Sequence, residues 1–205
     1  MVKQRFQALD VMRGLTLALM ILVNTPGSWS YVYGPLLHAD WHGATPTDFV
    51  FPFFMFIVGS SMYFAMRGLR QLAPATQTKK ILRRVLLLFV IGVLLSAYPF
   101  TTSIENWRVM GVLQRIAIAY GFAAFIILYF GFTGRALISA ALLVGYWVLL
   151  QFSIDPYSLE HNLVRQFDVA VLGANHLWQG KGIAFDPEGI LSTFPSIVNV
   201  IIGFE

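Results

Sequence analysis

The chain contains no cysteine among its 205 residues, which removes disulfides, thiolate nucleophiles and thiolate metal sites together. Charge is scarce as well: 12% of residues are charged and 57% apolar, where a soluble domain carries about a quarter charged residues. With a mean hydropathy of +0.69, this composition excludes an ordinary water-soluble globule and indicates an integral membrane protein. The alternating pattern of an outer-membrane barrel is missing, so aliphatic runs of this length read as helices. The HExxH, GxSxG, P-loop and dinucleotide fingerprints are absent, so none of the chemistries those motifs announce is signalled. The start MVKQRFQALDVMRG lacks a small-residue cleavage site, and its apolar run reads as an uncleaved first span. Internal repeats and low-complexity tracts are lacking too.

What the chain does have is apolar length. Five segments, residues 6–23, 49–66, 81–100, 109–132 and 135–152, are long enough for bilayer-crossing helices, which need roughly 20 residues. A sixth begins near Ile190 and runs to Phe204 and Glu205, and is read as a span cut short. The expected fold is all-α: a polytopic helical membrane protein with five complete spans and the start of a sixth. Residues 1–205 then form one transmembrane domain, the N-terminal portion of a larger bundle, with a long outer loop over 153–189.

The few charges are unevenly placed. With a cytoplasmic N-terminus, the inner face carries ten of the 14 Lys and Arg residues: Lys3, Arg5, Arg13, Arg67, Arg70, Lys79, Lys80, Arg83, Arg84 and Arg135. The outer face carries Arg108, Arg165 and Lys181, and Arg115 falls inside a span. That asymmetry sets the expected orientation. It also accounts for the net charge of +4 without a nucleic-acid partner. A basic loop over 67–84 is expected on the inner side, near anionic lipid. All four histidines, His38, His42, His161 and His176, fall on the outer side, so the chemistry is expected outside the cytoplasm.

Residues 22–59, LVNTPGSWSYVYGPLLHADWHGATPTDFVFPFFMFIVG, gather Asn24, Trp29, His38, Asp40, Trp41, His42 and Asp48. This is the densest polar and aromatic patch in a chain poor in polar groups, and the candidate active site. His38 and His42 are spaced i, i+4, which on a helix would suit a metal pair. Gly34, Pro35, Gly43 and Pro46 argue against a helix there, and no metal site is expected. A single histidine acting as base is the stronger reading, because imidazole titrates near neutral pH. Two solvated loop histidines are the plain alternative, as an interfacial belt is for Trp29, Trp41, Trp107 and Trp178. Asp10 and Arg13, spaced i, i+3, can pair on the first helix. Arg115 either snorkels outward or holds an anionic ligand such as a phosphate.

Four stretches taken together, RFQALDVMRGLTLALMILVN, LLHADWHGATPTDFVFPFFMFIVGSS, GVLQRIAIAYG and AFDPEGILSTFPSIVNVIIGF, resemble in sequence and order the heparan-alpha-glucosaminide N-acetyltransferase family and its bacterial relatives. The resemblance implies a multi-span bundle that moves acetyl from cytosolic acetyl-CoA, as co-substrate, to an amino sugar across the membrane. This chain would hold the first half of that bundle. The family's active histidine, in a His-x-x-Trp-x-Gly pattern, falls on His38 of HADWHG, and its loop asparagine on Asn24. By the same resemblance, Gln114 and Arg115, and Asp186-Pro187-Glu188-Gly189, mark further family positions.

The expected function is therefore a membrane-embedded N-acetyltransferase acting on a glucosamine-type amine, with His38 as base or transient acetyl carrier. Asn24 would stabilise the oxyanion or hold His38, Arg115 with Gln114 would meet the CoA, and Trp41, Asp40, Asp48 and Trp29 would contact the sugar. The alternative is an amino-sugar permease whose aromatic faces, Trp29, Tyr31, Tyr33 and Trp41, stack on the sugar without catalysis. The expected partners are the lipid bilayer and an amino-sugar or glycan acceptor, in the cytoplasmic (inner) membrane; a homo-oligomer is left open.

Overall fold

A computed structural model describes residues 6–205; Lys3 and Arg5 of the basic face lie outside the described residues. Seven α-helices follow in order: α1 Gln7–Asn24, α2 Val50–Leu69, α3 Pro74–Ala97, α4 Val112–Tyr129, α5 Phe132–Gln151, α6 Leu163–Leu172 and α7 Thr193–Phe204. Short 3-10 turns lie between them, and no strand occurs among the described residues. The all-α membrane class read from composition is thus the class observed. Four segments are long and apolar enough to cross a bilayer: Gln7–Asn24, Pro46–Leu69, Val112–Tyr129 and Phe132–Gln151. The remaining long segment also forms a helix, α3, but Lys79, Lys80, Arg83 and Arg84 occupy its first half. Its uninterrupted apolar part falls short of a full span.

Helix ends follow local chemistry. α1 stops ahead of Pro26-Gly27, where proline breaks the hydrogen-bond ladder. α3 opens with Pro74 in its first turn, where a missing N–H has no intrahelical partner to lose. It closes at Ala97, before Tyr98-Pro99. α6 opens on Asn162, whose side chain accepts from the Arg165 N–H at 2.8 Å, and closes on Gly173 at φ 82°.

Two sequence expectations are corrected here. The basic loop over 67–84 is a turn of residues 70–73, because Arg67 continues α2 and Lys79, Lys80, Arg83 and Arg84 already belong to α3. Good helix formers on either side of the Leu72–Pro74 break explain why the charges sit on helices. The long outer segment 153–189 is not simply a loop: it contains α6, a 3-10 turn at Ala174–His176 and an antiparallel bridge between Trp178 and Phe185.

The core sits where α7 packs against α2, α4 and α5. It is built of Met55, Met62, Met66, Ile116, Tyr120, Ile127, Ile197, Val200, Ile201 and Phe204, with Ala119, Ala123 and Ala124 lining the contact face of α4. α2 and α7 meet backbone to backbone. A Cβ on Gly59 would lie 2.0 Å from the Val200 carbonyl oxygen, and one on Gly203 would lie 2.1 Å from that of Phe56. Only glycine permits such an approach, the usual device for packing helices in lipid. Ser60 Oγ donates to the Gly203 carbonyl at 2.8 Å across the same contact. By contrast, α1 buries only Thr16 and Val23, and α5 buries no residue fully. The expected Asp10–Arg13 pair is present at 3.5 Å, and Arg13 also donates to Ser61 Oγ at 2.9 Å.

At one end of the bundle three connections converge. Val109 N–H donates to the His176 carbonyl at 3.2 Å, and His176 Nδ1 lies 2.7 Å from the Trp107 carbonyl oxygen. Lys181 reaches Asp40. These contacts bring the histidine loop, the α3–α4 connection and the 153–192 segment together around two cavities.

Candidate active site

The histidine loop is shaped by its own hydroxyls. Thr45 Oγ1 donates to the Leu37 carbonyl at 2.6 Å and Thr47 Oγ1 to that of Pro35 at 3.2 Å, folding the loop back onto the start of α2. Asp48, in the 3-10 turn Pro46–Phe49 that leads into α2, then comes under His38. One carboxylate oxygen, Oδ1, lies 2.6 Å from His38 Nδ1. The other, Oδ2, accepts from the Thr45 N–H at 2.7 Å, the Thr45 hydroxyl at 3.0 Å and the Ala39 N–H at 3.1 Å. An ionised carboxylate only accepts, so Nδ1 carries the proton and Nε2 presents its lone pair. A carboxylate fixed from several sides therefore fixes the ring, its tautomer and its basic nitrogen.

His38, Asp48, Pro187 and Glu188 border both cavities. The outer cavity, about 630 Å³, is walled by Trp41, Tyr157, Trp178 and Phe185 with Asp40, Arg108 and Lys181. The inner one, about 370 Å³, lies between α1, α2 and α4 and is lined by Asn24, Phe51, Val112 and Arg115 as well. His38 thus stands in the wall between a polar aromatic vestibule and a smaller chamber within the helices.

The remaining expected residues divide. Asn24, at the last turn of α1, shares the inner cavity with His38. Arg115 ends on protein groups, donating from Nη2 to the Pro187 carbonyl at 2.6 Å and to Ser192 Oγ. Trp41 stacks edge-on against Phe185, centroids 5.5 Å apart, and Phe185 stacks in turn on Trp178 at 5.1 Å. Asp40 borders the outer cavity and faces Lys181 at 3.8 Å. Asp48, expected among the sugar contacts, instead holds His38. Gln114 is 1% exposed and turned between α3 and α4, where it abuts Gly92 and Gly111; it lines neither cavity. Trp29 is 64% exposed and also lines neither. His42 packs on Tyr157, ring centroids 4.8 Å apart, and makes no bond to Asp48.

One cluster escaped the sequence reading. Arg108 donates to both oxygens of Asp186, from Nε at 2.8 Å and Nη2 at 2.7 Å, and to Glu188 Oε2 at 2.5 Å. Burial works against the guanidinium's charge, but the two carboxylates outweigh it and hold its pKa above the ordinary value. Beneath the cluster, Asp168 of α6 is fully buried. Its Oδ1 accepts from the Ile190 N–H at 2.9 Å, while Oδ2 has no partner and lies against Gly189. Burial, with Asp186 nearby, pushes this carboxyl up to about 6. The available signal was Arg108 itself, the single basic residue in the connection between α3 and α4.

Comparison with known proteins bears directly on this loop. The model of the family described as heparan-alpha-glucosaminide N-acetyltransferase, catalytic, matches residues 5–176. The chain belongs to this family. The mouse and human proteins named heparan-alpha-glucosaminide N-acetyltransferase are each 29% identical over 253 aligned residues, covering 98% of this chain and 38% of theirs. The chain therefore spans under two fifths of the length of these relatives. Within this member of the heparan-alpha-glucosaminide N-acetyltransferase family, the model's match takes in His38, Asp48, Arg108 and Arg115. Lys181, Asp186 and Glu188 lie beyond it.

Proposed function

We propose that the protein is a membrane-embedded acyltransferase that moves an acetyl group from acetyl-CoA to the amine of a glucosamine-type sugar. The observation that carries this reading is the 2.6 Å contact between His38 Nδ1 and Asp48 Oδ1, at the border of two cavities. Family membership supports the reaction class. In the direct route, the sugar amine attacks the thioester carbonyl, a C–N bond forms and the carbonyl π pair moves onto oxygen. His38 Nε2 takes the amine proton, and collapse breaks the C–S bond as that proton passes to the departing thiolate. In the two-step route, Nε2 attacks the thioester carbonyl, the C–S bond breaks and CoA leaves as its thiolate. The sugar amine then attacks the acetyl-imidazolium, the bond from Nε2 to the acetyl carbon breaks as the C–N bond to the sugar forms, and the amine proton passes to the thiolate. Asp48 stabilises the positive imidazolium in the first route and orients the ring in both.

Asn24 lines the inner cavity and would donate to an acyl oxygen or hold His38. Arg115 and Gln114 remain the donor-side residues of this proposal, Gln114 through the α3–α4 contact that supports its neighbour. Trp41 and Asp40 border the outer cavity, which suits a sugar: aromatic faces for its C–H surface and a carboxylate for its amine. Trp29, exposed and outside both linings, would meet the sugar only beyond the cavity. The outer cavity faces away from the cytoplasm and the N-terminus toward it, in a cytoplasmic membrane, on the strength of the basic residues. Cysteines introduced at Ser30 and Thr76 test that orientation, position 30 alone being expected to react with an impermeant reagent outside cells.

The activity test is labelled acetyl-CoA with protein in vesicles and a panel of amino sugars. Acetyl transfer that is lost in His38→Ala supports the reading. Sugar binding or uptake with no consumption of acetyl-CoA would overturn it in favour of a permease.

A further inference from the structure

Arg115 is the residue whose surroundings the reading above leaves unexplained. It sits in α4, a helix apolar enough to span the bilayer, yet no carboxylate lies within ion-pairing distance of it among the described residues. Glu188 borders the same inner cavity, but its carboxylate is taken by Arg108 at 2.5 Å, as is that of Asp186 at 2.7 Å. In the first turn of α4 its charge is offset only at longer range, by Glu188 and Asp186, and a charge on a spanning helix without a close partner is a candidate for function.

The guanidinium is also held still. Its Nη2 donates to the Pro187 carbonyl and to Ser192 Oγ, and Ser192 Oγ bonds back to the carbonyls of Pro187 at 3.3 Å and Gly189 at 3.1 Å. The group lies over the Phe51 ring, 5.7 Å from its centroid, and Phe51 lines the same cavity. One edge is therefore anchored, while Nε is buried without a partner and Nη1 makes no hydrogen bond. Nε is closed off from the chamber, and Nη1 is the unused donor on an immobilised cation that shares the chamber with His38 and Asn24, an arrangement for receiving an oxygen.

Which oxygen follows from the chamber's size and neighbours. At about 370 Å³ it admits the acyl end of a thioester. In CoA the phosphates lie at the far end of the pantetheine arm from the sulfur. A residue that shares this chamber with His38 cannot hold a phosphate while the acetyl group is within reach of that histidine. We infer that Arg115 receives the carbonyl oxygen of the acyl thioester and stabilises the oxyanion formed when the amine, or His38, attacks. This rests on the acyltransfer reading and revises within it the expectation of a phosphate contact. The logic is that of differential binding: the carbonyl oxygen gains full negative charge only as the tetrahedral species forms, so the unpaired cation is satisfied in the transition state.

The test compares wild type with Arg115→Gln and Arg115→Lys, reconstituted in vesicles. Two quantities are read separately: equilibrium affinity for CoA and for a non-transferable acetyl-CoA thioether, and the single-turnover rate of transfer to glucosamine at saturating donor. The expected result for Arg115→Gln is a rate loss of about 10² to 10³-fold with donor affinity within about threefold of wild type. Arg115→Lys keeps the charge but not the fork of donors, and is expected to fall between; if the Gln variant fails to fold, the Lys variant carries the same comparison. Donor affinity falling in step with rate would return Arg115 to phosphate binding, and an unchanged rate would remove it from the chemistry; either outcome overturns the inference. A wild-type protein that transfers no acetyl group would overturn the acyltransfer reading itself, and the inference with it.

Discussion

The α2–α4–α7 core and the loop end of the bundle are held by opposite means. In the core, Gly59 and Gly203 bring two backbones into contact, and Met55, Ile127 and Val200 fill the remaining space. No ion pair is needed there, since close packing does the work that hydrophobic exclusion cannot do in lipid. At the loop end, Arg108 clamps Asp186 and Glu188, Asp48 holds His38, and Lys181 ties the far segment to Asp40. This region spends charge, with its desolvation cost, to place groups in one geometry. The difference teaches that the scaffold is specified by shape and the site by electrostatics, so the two should fail differently.

The sharpest way to break that contrast is His38→Ala. It removes the proposed base without touching the core, and should lower turnover by about 10² to 10⁴-fold while melting temperature and membrane insertion stay near wild type. A parallel loss of folding would show that site and scaffold are not separable. Next in size is Arg108→Ala, which strands the buried Asp186 carboxylate and should cost about 3–5 kcal/mol. Adding Asp186→Asn should recover part of that loss in a thermal-unfolding cycle. Gly59→Ala attacks the other region: a Cβ 2.0 Å from the Val200 carbonyl forces α2 and α7 apart, at about 1–3 kcal/mol. The surviving folded fraction should retain wild-type donor affinity, which would separate shape from electrostatics cleanly.

The smallest effects sharpen the comparison within the loop end. His42→Ala should stay within a few-fold of wild-type turnover, because His42 packs on Tyr157 and has no carboxylate behind it. Losses equal to those of His38→Ala would mean that the Asp48 contact does not distinguish the two histidines. Asp168 titrates in an unusual range. Burial raises its carboxyl from 3.8 to about 6, so the folded state binds a proton that the unfolded state has already released. Its contribution to stability is full below about pH 4 and is lost as pH rises through about 6. Asp168→Asn should flatten that stretch of the stability curve and raise stability near pH 7 relative to wild type. A slope that persists in the variant would assign it to another group.

Much of the scaffold was legible because its signals are local. Apolar run length announces a helix, Pro74 and Gly173 mark an end, and Asp10 and Arg13 are neighbours by helical geometry alone. The active loop was legible as a concentration of polar residues in a chain that has few. The roles within it were less so. Asp48 and Asp40 are both acids near His38 in sequence, and only the fold separates them: one is turned under the imidazole by Thr45 and Thr47, the other out toward Lys181. Gln114 and Arg115 are adjacent, but successive helix positions point about 100° apart. One is therefore locked between helices and the other faces the inner cavity.

By itself the sequence determined that this is a helical membrane protein, where most of its helices lie, which family it resembles and which loop concentrates its polar residues. Each of these depends on composition or on residues within a few turns of one another. Tertiary structure alone decided that Arg108 meets Asp186 across 78 residues, that Lys181 meets Asp40 across 141, and that Arg115 and His38 line one cavity. Partner choice among buried charges is settled by which elements the packed helices bring within a few ångströms, because at those distances desolvation and Coulomb energy change steeply. No periodicity along the chain encodes such a distance.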